Sequence, residues 1–408
     1  MWDIRQYGAV GDGKTVDTAA LQAAIDACGT AGGGRVLLSQ GEYLTSTIRL
    51  RSGVELHFAD AARLIGAPDK EAYAGPVDEP KNRWLHALIV GEDLHDIAIT
   101  GHGTIDGNKV RDPQGEEKMR GPHTVLLRRC KNVTLQDTTL RHSGNYAFLF
   151  YACEGVNVLN ARFEGGWDGV HCRDLDGHWN KQIRISGCQF HTGDDSIAGS
   201  GMEDCLIEDC VINSSCNGVR LIGPARRWTL TRCKFIGPGE FPHITGNRYN
   251  MLAGLNLQPS AWGSRPGPLE DIRVTDVTME NVLCAFHIVV RPGNTADRLL
   301  FERVKATLAG AGQAASSVES WGDKTFSDIV FRDVEIECNG GGGEEEAQMA
   351  VAKPGLDARR LPAWGFYARN VKQLTLDRVR LTALKPDKRP AILVENVDQM
   401  RLQPPAST

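Results

Sequence analysis

Three aspartates lie in two short motifs whose residue types suit acid–base chemistry. Residues 192–199 read TGDDSIAG and place Asp194 beside Asp195, while residues 166–172 read GWDGVHC and contain Asp168. Carboxylates that lie close together raise one another's pKa and cost stability unless a cation or a function offsets that cost. Converging carboxylates suit acid–base hydrolysis of a glycosidic bond or the binding of Ca²⁺. A third interpretation is a structural stack of turn residues, as in polar ladders.

The elements that must position these aspartates are eight-residue repeats with apolar first, third and eighth residues. The copies are VTLQDTTL from Val133, VNVLNARF from Val156, IRISGCQF from Ile183, CLIEDCVI from Cys205, WTLTRCKF from Trp228, IRVTDVTM from Ile272, LLFERVKA from Leu299, IVFRDVEI from Ile329 and LTLDRVRL from Leu374. The step from the third to the eighth position changes parity, so a bend must lie between them. The first five copies start 23, 27, 22 and 23 residues apart, which is typical of one coil of a parallel solenoid.

The repeat register predicts which polar residues lie next to one another. Counting twelve residues from the repeat starts at 133, 156, 183 and 205 gives Asn145, Asp168, Asp195 and Asn217. We expect these four to form one column across successive coils, with neighbours about 4.8 Å apart. Asp194 then lies beside the column, so three carboxylates converge on one patch. For Asn145 and Asn217 a purely structural ladder is an alternative.

Cysteines recur at the sixth position of three successive repeats, as Cys188, Cys210 and Cys233, among 11 cysteines in the chain. A free cysteine behaves as a small buried hydrophobe, so this pattern predicts an inward ladder rather than a metal site or a disulfide. The absence of a CxxC pair agrees with that interpretation.

One segment has helical periodicity in a chain that otherwise reads as short strands. Within residues 15–30, apolar residues at helical spacing follow a candidate N-cap at Asp17 or Thr18 and precede a run of glycines. We interpret this segment as a helix that covers the first coil, because exposed sheet edges need a cover. Residues 339–362 are rich in glycine and charge and predict a solvated insertion loop. The fold class is therefore all-β, one domain over residues 1–408.

Composition excludes some function classes. Lys+Arg 46 against Asp+Glu 51 gives a net charge of −5, and no basic stripe with interleaved aromatics suggests nucleic-acid binding. No apolar stretch is long enough to predict a membrane helix. The N-terminal residues lack a secretory signal pattern, which with the cysteine content favours a cytoplasmic location, although a secreted protein without its signal would read the same. Nothing in the sequence indicates a cofactor or a resident metal.

The motifs resemble those of glycoside hydrolase family 28, the polygalacturonases and their relatives. The likeness rests on YGAVGDGKTVDTAALQAAIDA, GGGRVLLSQGEYL, ITGHGTIDGN, GWDGVHC and TGDDSIAG, and runs from about Trp2 to Gly223. It implies a right-handed parallel β-helix. It also implies that Asp194 is the general acid, that Asp168 and Asp195 hold the attacking water, and that hydrolysis proceeds with inversion. Inversion requires an acid and a base roughly 6.5–9.5 Å apart.

Two family motifs are absent at their expected positions. The family's Gly-His-Gly is replaced by SCNGVRLIG, with Asn217 at the histidine, and its Arg-Ile-Lys is replaced near 250–258 by NMLAGLNLQ. A galacturonate in the usual subsite is therefore put in doubt. Arg220 could compensate by binding a substrate carboxylate bidentately, or it could merely neutralise the aspartates.

Other residues near the aspartates are candidates for binding sugar. We assign substrate-binding roles to His171 and His191 beside Asn145, Asn217 and Arg220; turn or groove positions are the alternative for both histidines. Four aromatic residues could stack on sugars or be buried in the core. They are Tyr146, Trp167, Trp228 and Trp262.

The leading hypothesis is an exo-acting glycoside hydrolase of pectin-type or related acidic saccharides, with a carbohydrate as its partner. A second hypothesis is a Ca²⁺-dependent polysaccharide lyase of the same fold, in which Arg220 abstracts the proton. A third is a β-helix that binds carbohydrate without turnover.

Overall fold

The computed structural model describes residues 1–404, and its strands pair in parallel from one coil to the next. A coil contributes up to three short strands, and each strand pairs with its counterpart one coil later, as when Val133 lies opposite Val156. The predicted fold class, a right-handed parallel β-helix, is confirmed. The prediction of one domain over residues 1–408 stays a prediction, and residues 405–408 lie outside the described part of the chain.

The described residues divide into two units. We call Met1–Asp194 with Phe241–Asn247 the N-terminal unit, and Asp195–Glu240 with the residues from Arg248 onward the C-terminal unit. The chain passes from one unit to the other at Asp194–Asp195, at Glu240–Phe241 and at Asn247–Arg248.

The strands of the N-terminal unit are β1 Trp2–Asp3, β2 Asp12–Val16, β3 Gly34–Leu38, β4 Gly41–Thr45, β5 Ile48–Arg49, β6 Val54–Phe58, β7 Ala62–Gly66, β8 Ala87–Glu92, β9 His95–Thr100, β10 Thr104–Asp106, β11 His123–Arg128, β12 Lys131–Gln136, β13 Thr139–Arg141, β14 Phe148–Tyr151, β15 Glu154–Leu159, β16 Arg162–Glu164, β17 Val170–Arg173, β18 Asn180–Ser186 and β19 Gln189–Thr192. Its helix α1 is Thr18–Thr30, and single 3₁₀ turns lie at Ile4–Tyr7, Lys70–Ala72, Arg83–Leu85 and Glu116–Lys118.

The strands of the C-terminal unit are β20 Ile197–Gly199, β21 Met202–Glu208, β22 Val211–Ser214, β23 Asn217–Leu221, β24 Ala225–Thr231, β25 Lys234–Ile236, β26 Ala253–Leu257, β27 Pro268–Val282, β28 Phe286–Val290, β29 Thr295–Leu308, β30 Ser316–Ser320, β31 Ile329–Gly340, β32 Phe366–Asp377, β33 Arg380–Lys385 and β34 Ile392–Gln403. A 3₁₀ turn lies at Ala261–Gly263, and a four-residue helix, α2, is Glu344–Ala347.

The predicted bend lies at the fifth residue of every repeat. The side chains at the first, third and eighth positions are buried, as at Val133, Leu135 and Leu140. The backbone of the fifth residue has a positive φ in all nine copies, at Asp137, Asn160, Gly187, Asp209, Arg232, Asp276, Arg303, Asp333 and Arg378. This left-handed conformation turns the chain from one strand to the next, and Asp, Asn and Gly adopt it most readily. Where arginine takes the corner it pairs with an aspartate one coil back, as Arg303 does with Asp276.

Helix α1 confirms the predicted cover of the first coil. Its buried face consists of Ala20, Leu21, Ala24, Ile25 and Cys28. The N-cap residue is Asp17, but its carboxylate accepts hydrogen bonds from the backbone N–H groups of Val10 and Gly11, at 2.7 and 3.0 Å, instead of capping the helix.

All 11 cysteines lie within the described residues, and each is free and buried. In the three repeat positions, the thiols of Cys188, Cys210 and Cys233 donate to the carbonyl two residues earlier. The predicted structural role of this ladder is confirmed.

The segment 339–362 makes contacts that the sequence did not indicate. Its first two residues complete β31, a single turn follows as α2, and the remainder packs over β23, β26 and β30 through polar contacts that are described with the candidate site. Residues 339–360 are nevertheless exposed or half-buried throughout, so the interpretation as a solvated inserted loop stays a prediction. The structure adds that buried side chains of the strands use this segment as a hydrogen-bond partner.

Among residues 1–404, the helices are too short and too polar to cross a membrane.

Candidate active site

Asp168 lies just before β17 and is held from two sides. Its backbone carbonyl accepts a hydrogen bond from Ala147 at 2.9 Å, which continues the pairing of β14 with β17. Its carboxylate Oδ2 lies 2.7 Å from His171 Nδ1. Both side chains are almost fully buried. The carboxylate is therefore fixed in orientation before any ligand arrives.

His171 is a neutral donor to this carboxylate. Burial, together with the charges of Arg173 and Arg120, holds the pKa of His171 well below its usual value. Arg173 Nε donates to His171 Nε2 at 3.2 Å, so the ring proton is on Nδ1 and points at Asp168. The ring stacks on Tyr146 with centroids 4.0 Å apart. His171 thus positions Asp168 from within the protein, and its substrate-binding role stays a prediction.

Asp194 follows β19 in a turn that only glycine can precede. A Cβ added to Gly193 would lie 2.4 Å from the carbonyl oxygen of Gly166 and 2.8 Å from that of Pro242. Asp194 itself is 6% exposed, and one of its oxygens lies within 4.8 Å of an oxygen of Asp168. The N-terminal unit therefore brings two of the three predicted catalytic carboxylates together.

Arg120 binds Asp194 and was not predicted from the sequence. Its Nη2 donates to Asp194 Oδ2 at 2.9 Å, and the guanidinium also contacts Glu117 at 2.8 Å and Asn145 Oδ1 at 3.3 Å. Its guanidinium carbon lies 3.8 Å from the ring centroid of Trp167. Burial acts to lower the pKa of Arg120, but the charges of Asp194, Tyr146 and Asp168 outweigh it and raise that pKa. Arg120 is therefore a fixed cation.

A histidine also approaches Asp194, again without a sequence signal. His243 Nε2 lies 3.6 Å from Asp194 Oδ1, which is too long for a hydrogen bond. The backbone N–H of Gly246 donates to His243 Nδ1 at 2.9 Å, so a neutral ring carries its proton on Nε2 and directs it toward Asp194.

Asp195 belongs to the C-terminal unit and is held by Asn217. The backbone N–H and the side-chain amide of Asn217 both donate to Asp195 Oδ1, at 2.9 and 2.8 Å. The backbone N–H of Ser196 donates in turn to the carbonyl of Asn217 at 3.1 Å. The predicted neighbour relation of Asp195 and Asn217 is confirmed, and Asn217 acts on the carboxylate itself.

Arg220 lies on β23 between two carboxylates. Its Nη1 is 3.7 Å from Asp195 Oδ2, and its Nη2 donates to Asp357 Oδ1 at 2.8 Å and to the carbonyl of Leu356 at 2.9 Å. The guanidinium carbon lies 5.4 Å from the ring centroid of Trp262. Both interpretations of Arg220 from the sequence therefore agree with its contacts. It lies close enough to Asp195 to neutralise that charge, and it binds a second carboxylate, that of Asp357.

The predicted column is wrong at Asn145. Phe148 lies opposite Val170, an offset of 22 that places Tyr146, not Asn145, level with Asp168. The repeat start gave an offset of 23, as between Val133 and Val156, but the chain loses one residue at the intervening corner. Asn145 reaches the site only through its bond to Arg120.

The remaining candidates divide between core and surface. His191 lies on β19 opposite Glu164, and its binding role stays a prediction. Trp167, Trp228 and Tyr146 are buried, so they do not present a face to a sugar. Trp262 is 58% exposed and is the member of the four that remains available for stacking.

Comparison with known proteins agrees with this geometry. Residues 43–219 match the model of "Glycosyl hydrolases family 28", and residues 1–70 match that of "Rhamnogalacturonase A/epimerase, pectate lyase-like". Over residues 43–219 the chain is therefore similar to the family 28 glycosyl hydrolases. The motifs from which the sequence predicted this resemblance lie mostly within the two matched ranges.

Two curated relatives and one solved structure illustrate the similarity. A "Polygalacturonase" of Chamaecyparis obtusa is 26% identical over 69% of this chain and 54% of its own length. An "Exo-poly-alpha-D-galacturonosidase" of Dickeya chrysanthemi is 27% identical over 49% of this chain and 42% of its own length. The crystal structure of a hyperthermoactive exopolygalacturonase from Thermotoga maritima superposes with a TM-score of 0.71 at 20% identity, covering 93% of this chain and 91% of that one. The chain thus spans about half the length of the two curated relatives.

The chain departs from the family 28 motifs where the sequence indicated. Asn217 binds Asp195 at the position of the absent family histidine. Asn256 and Gln258, in the stretch where the basic pair was expected, donate to the carbonyl of Leu356 at 3.2 and 2.9 Å.

Proposed function

We propose that this protein hydrolyses glycosidic bonds in pectin-type or related acidic oligosaccharides, with Asp194 as the general acid. The observation that carries the proposal is the pair Asp168 and Asp194, two buried carboxylates within 4.8 Å whose partners differ. Acid–base hydrolysis of a glycoside requires two carboxyl groups in different protonation roles.

Each carboxylate has an environment that suits its assigned role. Asp194 donates a proton to the glycosidic oxygen, and Arg120 then stabilises the carboxylate that remains, because an opposite charge favours the ionised form. Asp168 and Asp195 are the candidate bases that hold the attacking water, and one of them accepts its proton as the water attacks the anomeric carbon. His171 and Asn217 donate to them without carrying charge of their own, so both aspartates are oriented as bases.

Inversion of configuration at the anomeric carbon remains the expected outcome, and the separation of Asp168 and Asp194 makes the stereochemistry of the product a direct test of the proposal. An oxygen of Asp168 lies within 4.8 Å of an oxygen of Asp194, whereas the acid and base of inverting enzymes are roughly 6.5–9.5 Å apart. Proton NMR of the first product released distinguishes the two anomers.

The substrate and the mode of cleavage follow from the relatives. Two of them carry the printed names polygalacturonase and exo-poly-alpha-D-galacturonosidase, so we assign a uronate-containing saccharide and cleavage from a chain end. A cytoplasmic location stays a prediction; it would favour short oligosaccharides over polymer.

The lyase alternative is disfavoured by the surroundings of Arg220. A lyase base must give up its own proton before it removes one from the substrate. Arginine is protonated in proteins, and Arg220 lies 2.8 Å from Asp357 and 3.7 Å from Asp195, which both favour the cation.

The experiment that tests the proposal compares the wild type with Asp194→Asn on a panel of uronic-acid oligosaccharides, with and without EDTA. The exposed Asp60→Asn variant is the control. We expect a saturated sugar that EDTA does not affect, and a loss of at least roughly 10³-fold in kcat for Asp194→Asn alone, since a proton-transfer group contributes about 10²–10⁴-fold. An unsaturated product would instead establish a lyase, and equal rates for both variants would remove Asp194 from the mechanism.

A further inference from the structure

One segment of the C-terminal unit supplies a carboxylate and a carbonyl to side chains that face outward from the strands. We call residues 353–361 the strap. The carbonyl oxygen of Leu356 accepts hydrogen bonds from Arg220 at 2.9 Å, Asn256 at 3.2 Å and Gln258 at 2.9 Å. Asp357 Oδ1 accepts a further bond from Arg220 at 2.8 Å. Three side-chain donors thus converge on two oxygens of the strap.

The face under the strap is polar across several coils. Arg220 lies opposite Asn256, Asn256 opposite His287, and His287 opposite Ser317. All four are buried. Buried polar groups need hydrogen-bond partners, and an outward row of them is typical of a surface that meets a polar ligand. Burial, more than the charges near it, lowers the pKa of His287 to about 4, so the row is neutral apart from Arg220. A second cation lies beside it, since Arg291 donates to Gln258 Oε1 at 2.8 Å and to the carbonyl of Gly355 at 3.3 Å.

The strap is anchored at one end and exposed at its tip. Arg359 makes two bonds, of 2.9 and 2.7 Å, to Glu319, whose side chain is fully buried. Next to it, Leu361 packs with Ala363 and Tyr367. At the tip, the side chain of Leu356 is 43% exposed. The tip is therefore held by its two polar oxygens and not by apolar packing of Leu356.

The tip accepts hydrogen bonds from the side-chain donors beneath it, but it leaves one buried acceptor without a donor. The side-chain oxygen of Asn256 is buried and has no hydrogen-bond partner within residues 1–404, although its amide nitrogen is bonded to the strap. The oxygens of a carboxylate or carbonyl can accept hydrogen bonds from all three donors, but they cannot donate one to the side-chain oxygen of Asn256. A uronate, which carries both a carboxylate and hydroxyl donors, can do both.

We propose that Asp357 and the Leu356 carbonyl are an internal occupant of an anion site formed by Arg220, Asn256 and Gln258. A uronate carboxylate reaches this site only in competition with Asp357. The class of ligand rests on the proposed function, whereas the competition rests on the contacts above. Asp357 is accordingly a specificity-determining residue that weakens the binding of uronates relative to neutral sugars.

The experiment measures binding instead of turnover. Isothermal titration calorimetry compares D-galacturonate with D-galactose, which lacks the carboxylate, on the wild type, Asp357→Asn, Asp357→Glu and the double variant Asp357→Asn/Arg220→Gln. Asp323→Asn, an exposed acid elsewhere in the unit, is the matched control. We expect Asp357→Asn to bind galacturonate about tenfold more tightly, since charge pairs of this kind have measurable coupling energies, with galactose unchanged.

The other variants distinguish the effect of removing the charge of Asp357 from the effect of loosening the strap. Asp357→Glu retains the charge and should bind as the wild type does, and Arg220→Gln should abolish the gain in the double variant. The proposal is overturned if Asp357→Asn leaves galacturonate binding unchanged, if galactose gains equally, or if Asp357→Glu gains as much as Asp357→Asn. Because no catalysis enters these measurements, a failure of the hydrolysis experiment leaves their result standing.

Discussion

Two arginines bind two aspartates that are adjacent in the chain, and their surroundings differ. Arg120 binds Asp194 at 2.9 Å and is enclosed by Trp167, Glu117 and Asn145. Arg220 lies 3.7 Å from Asp195 and makes its shorter contact, 2.8 Å, with Asp357, whose side chain is 40% exposed. Arg120 is thus committed to Asp194, whereas Arg220 is shared between Asp195 and the strap.

The surroundings of the two arginines also differ in polarity. In the N-terminal unit, the residues near Arg120 form an apolar cluster that includes Leu126, Leu149 and Trp167. In the C-terminal unit, Arg220 continues into the polar row under the strap. An apolar surrounding strengthens a single ion pair by excluding water, while a polar one allows partners to exchange. Under the proposed function, we therefore expect Arg120 to affect the rate of the chemical step and Arg220 to affect which substrates bind.

The largest expected effect comes from removing each arginine in turn. Arg120→Met leaves Asp194 and Glu117 without their cation, and breaking a buried pair costs about 3–5 kcal/mol of unfolding free energy. We expect kcat to fall by roughly 10³-fold. Arg220→Met should raise KM for uronate substrates and leave kcat within about threefold, because Arg220 is outside the proton-transfer pair.

Steady-state kinetics on charged and neutral substrates, with thermal unfolding of each variant, checks this contrast. Arg120→Lys, which restores the charge without the bidentate geometry, should recover part of kcat. Equal losses of kcat in both methionine variants would contradict the division of roles.

A smaller effect is expected from the donors that orient the two bases. His171→Phe removes the hydrogen bond to Asp168 and should lower kcat by about 10–100-fold, as loss of an orienting partner does in comparable sites. Asn217→Leu should cost less than about tenfold, because the backbone N–H of residue 217 still donates to Asp195. Steady-state kinetics gives the ratio of the two kcat values. A larger loss of kcat for Asn217→Leu than for His171→Phe would contradict this ranking.

The smallest effect concerns stability against pH, and it involves both units. Burial, the dominant cause, lowers the pKa of His123 to about 3 and that of His287 to about 4. Since the unfolded chain protonates histidine near pH 6.5, each contributes stability above that pH that is lost as the pH falls. Between pH 6.5 and pH 5 the loss is about 2 kcal/mol for each residue.

Thermal unfolding at pH 7, 6 and 5 measures this loss. His123→Gln in one unit and His287→Gln in the other should each flatten the pH dependence by a similar amount. An unchanged slope in either variant would mean that the corresponding histidine is protonated in the folded protein.

Sequence reasoning predicted the fold because the repeats encode it locally. Apolar residues at the first, third and eighth positions imply a bend, and the structure places a left-handed residue at the fifth position of each copy. The three aspartates were found because their motifs are contiguous. The error at Asn145 arose because counting from a repeat start assumes equal coils, whereas the coil that contains Asp168 is one residue shorter at its corner than the coil before it.

The sequence by itself determined the stacking of coils, the inward cysteines, the capping helix and the aspartates at the turns, since each depends on the spacing of neighbouring residues. Only the tertiary structure decided what surrounds those aspartates. Arg120 is 74 residues from Asp194, and Asp357 is 137 residues from Arg220. Such contacts form when turns and straps from distant coils close over the strands, and no local periodicity records which side chain will arrive there.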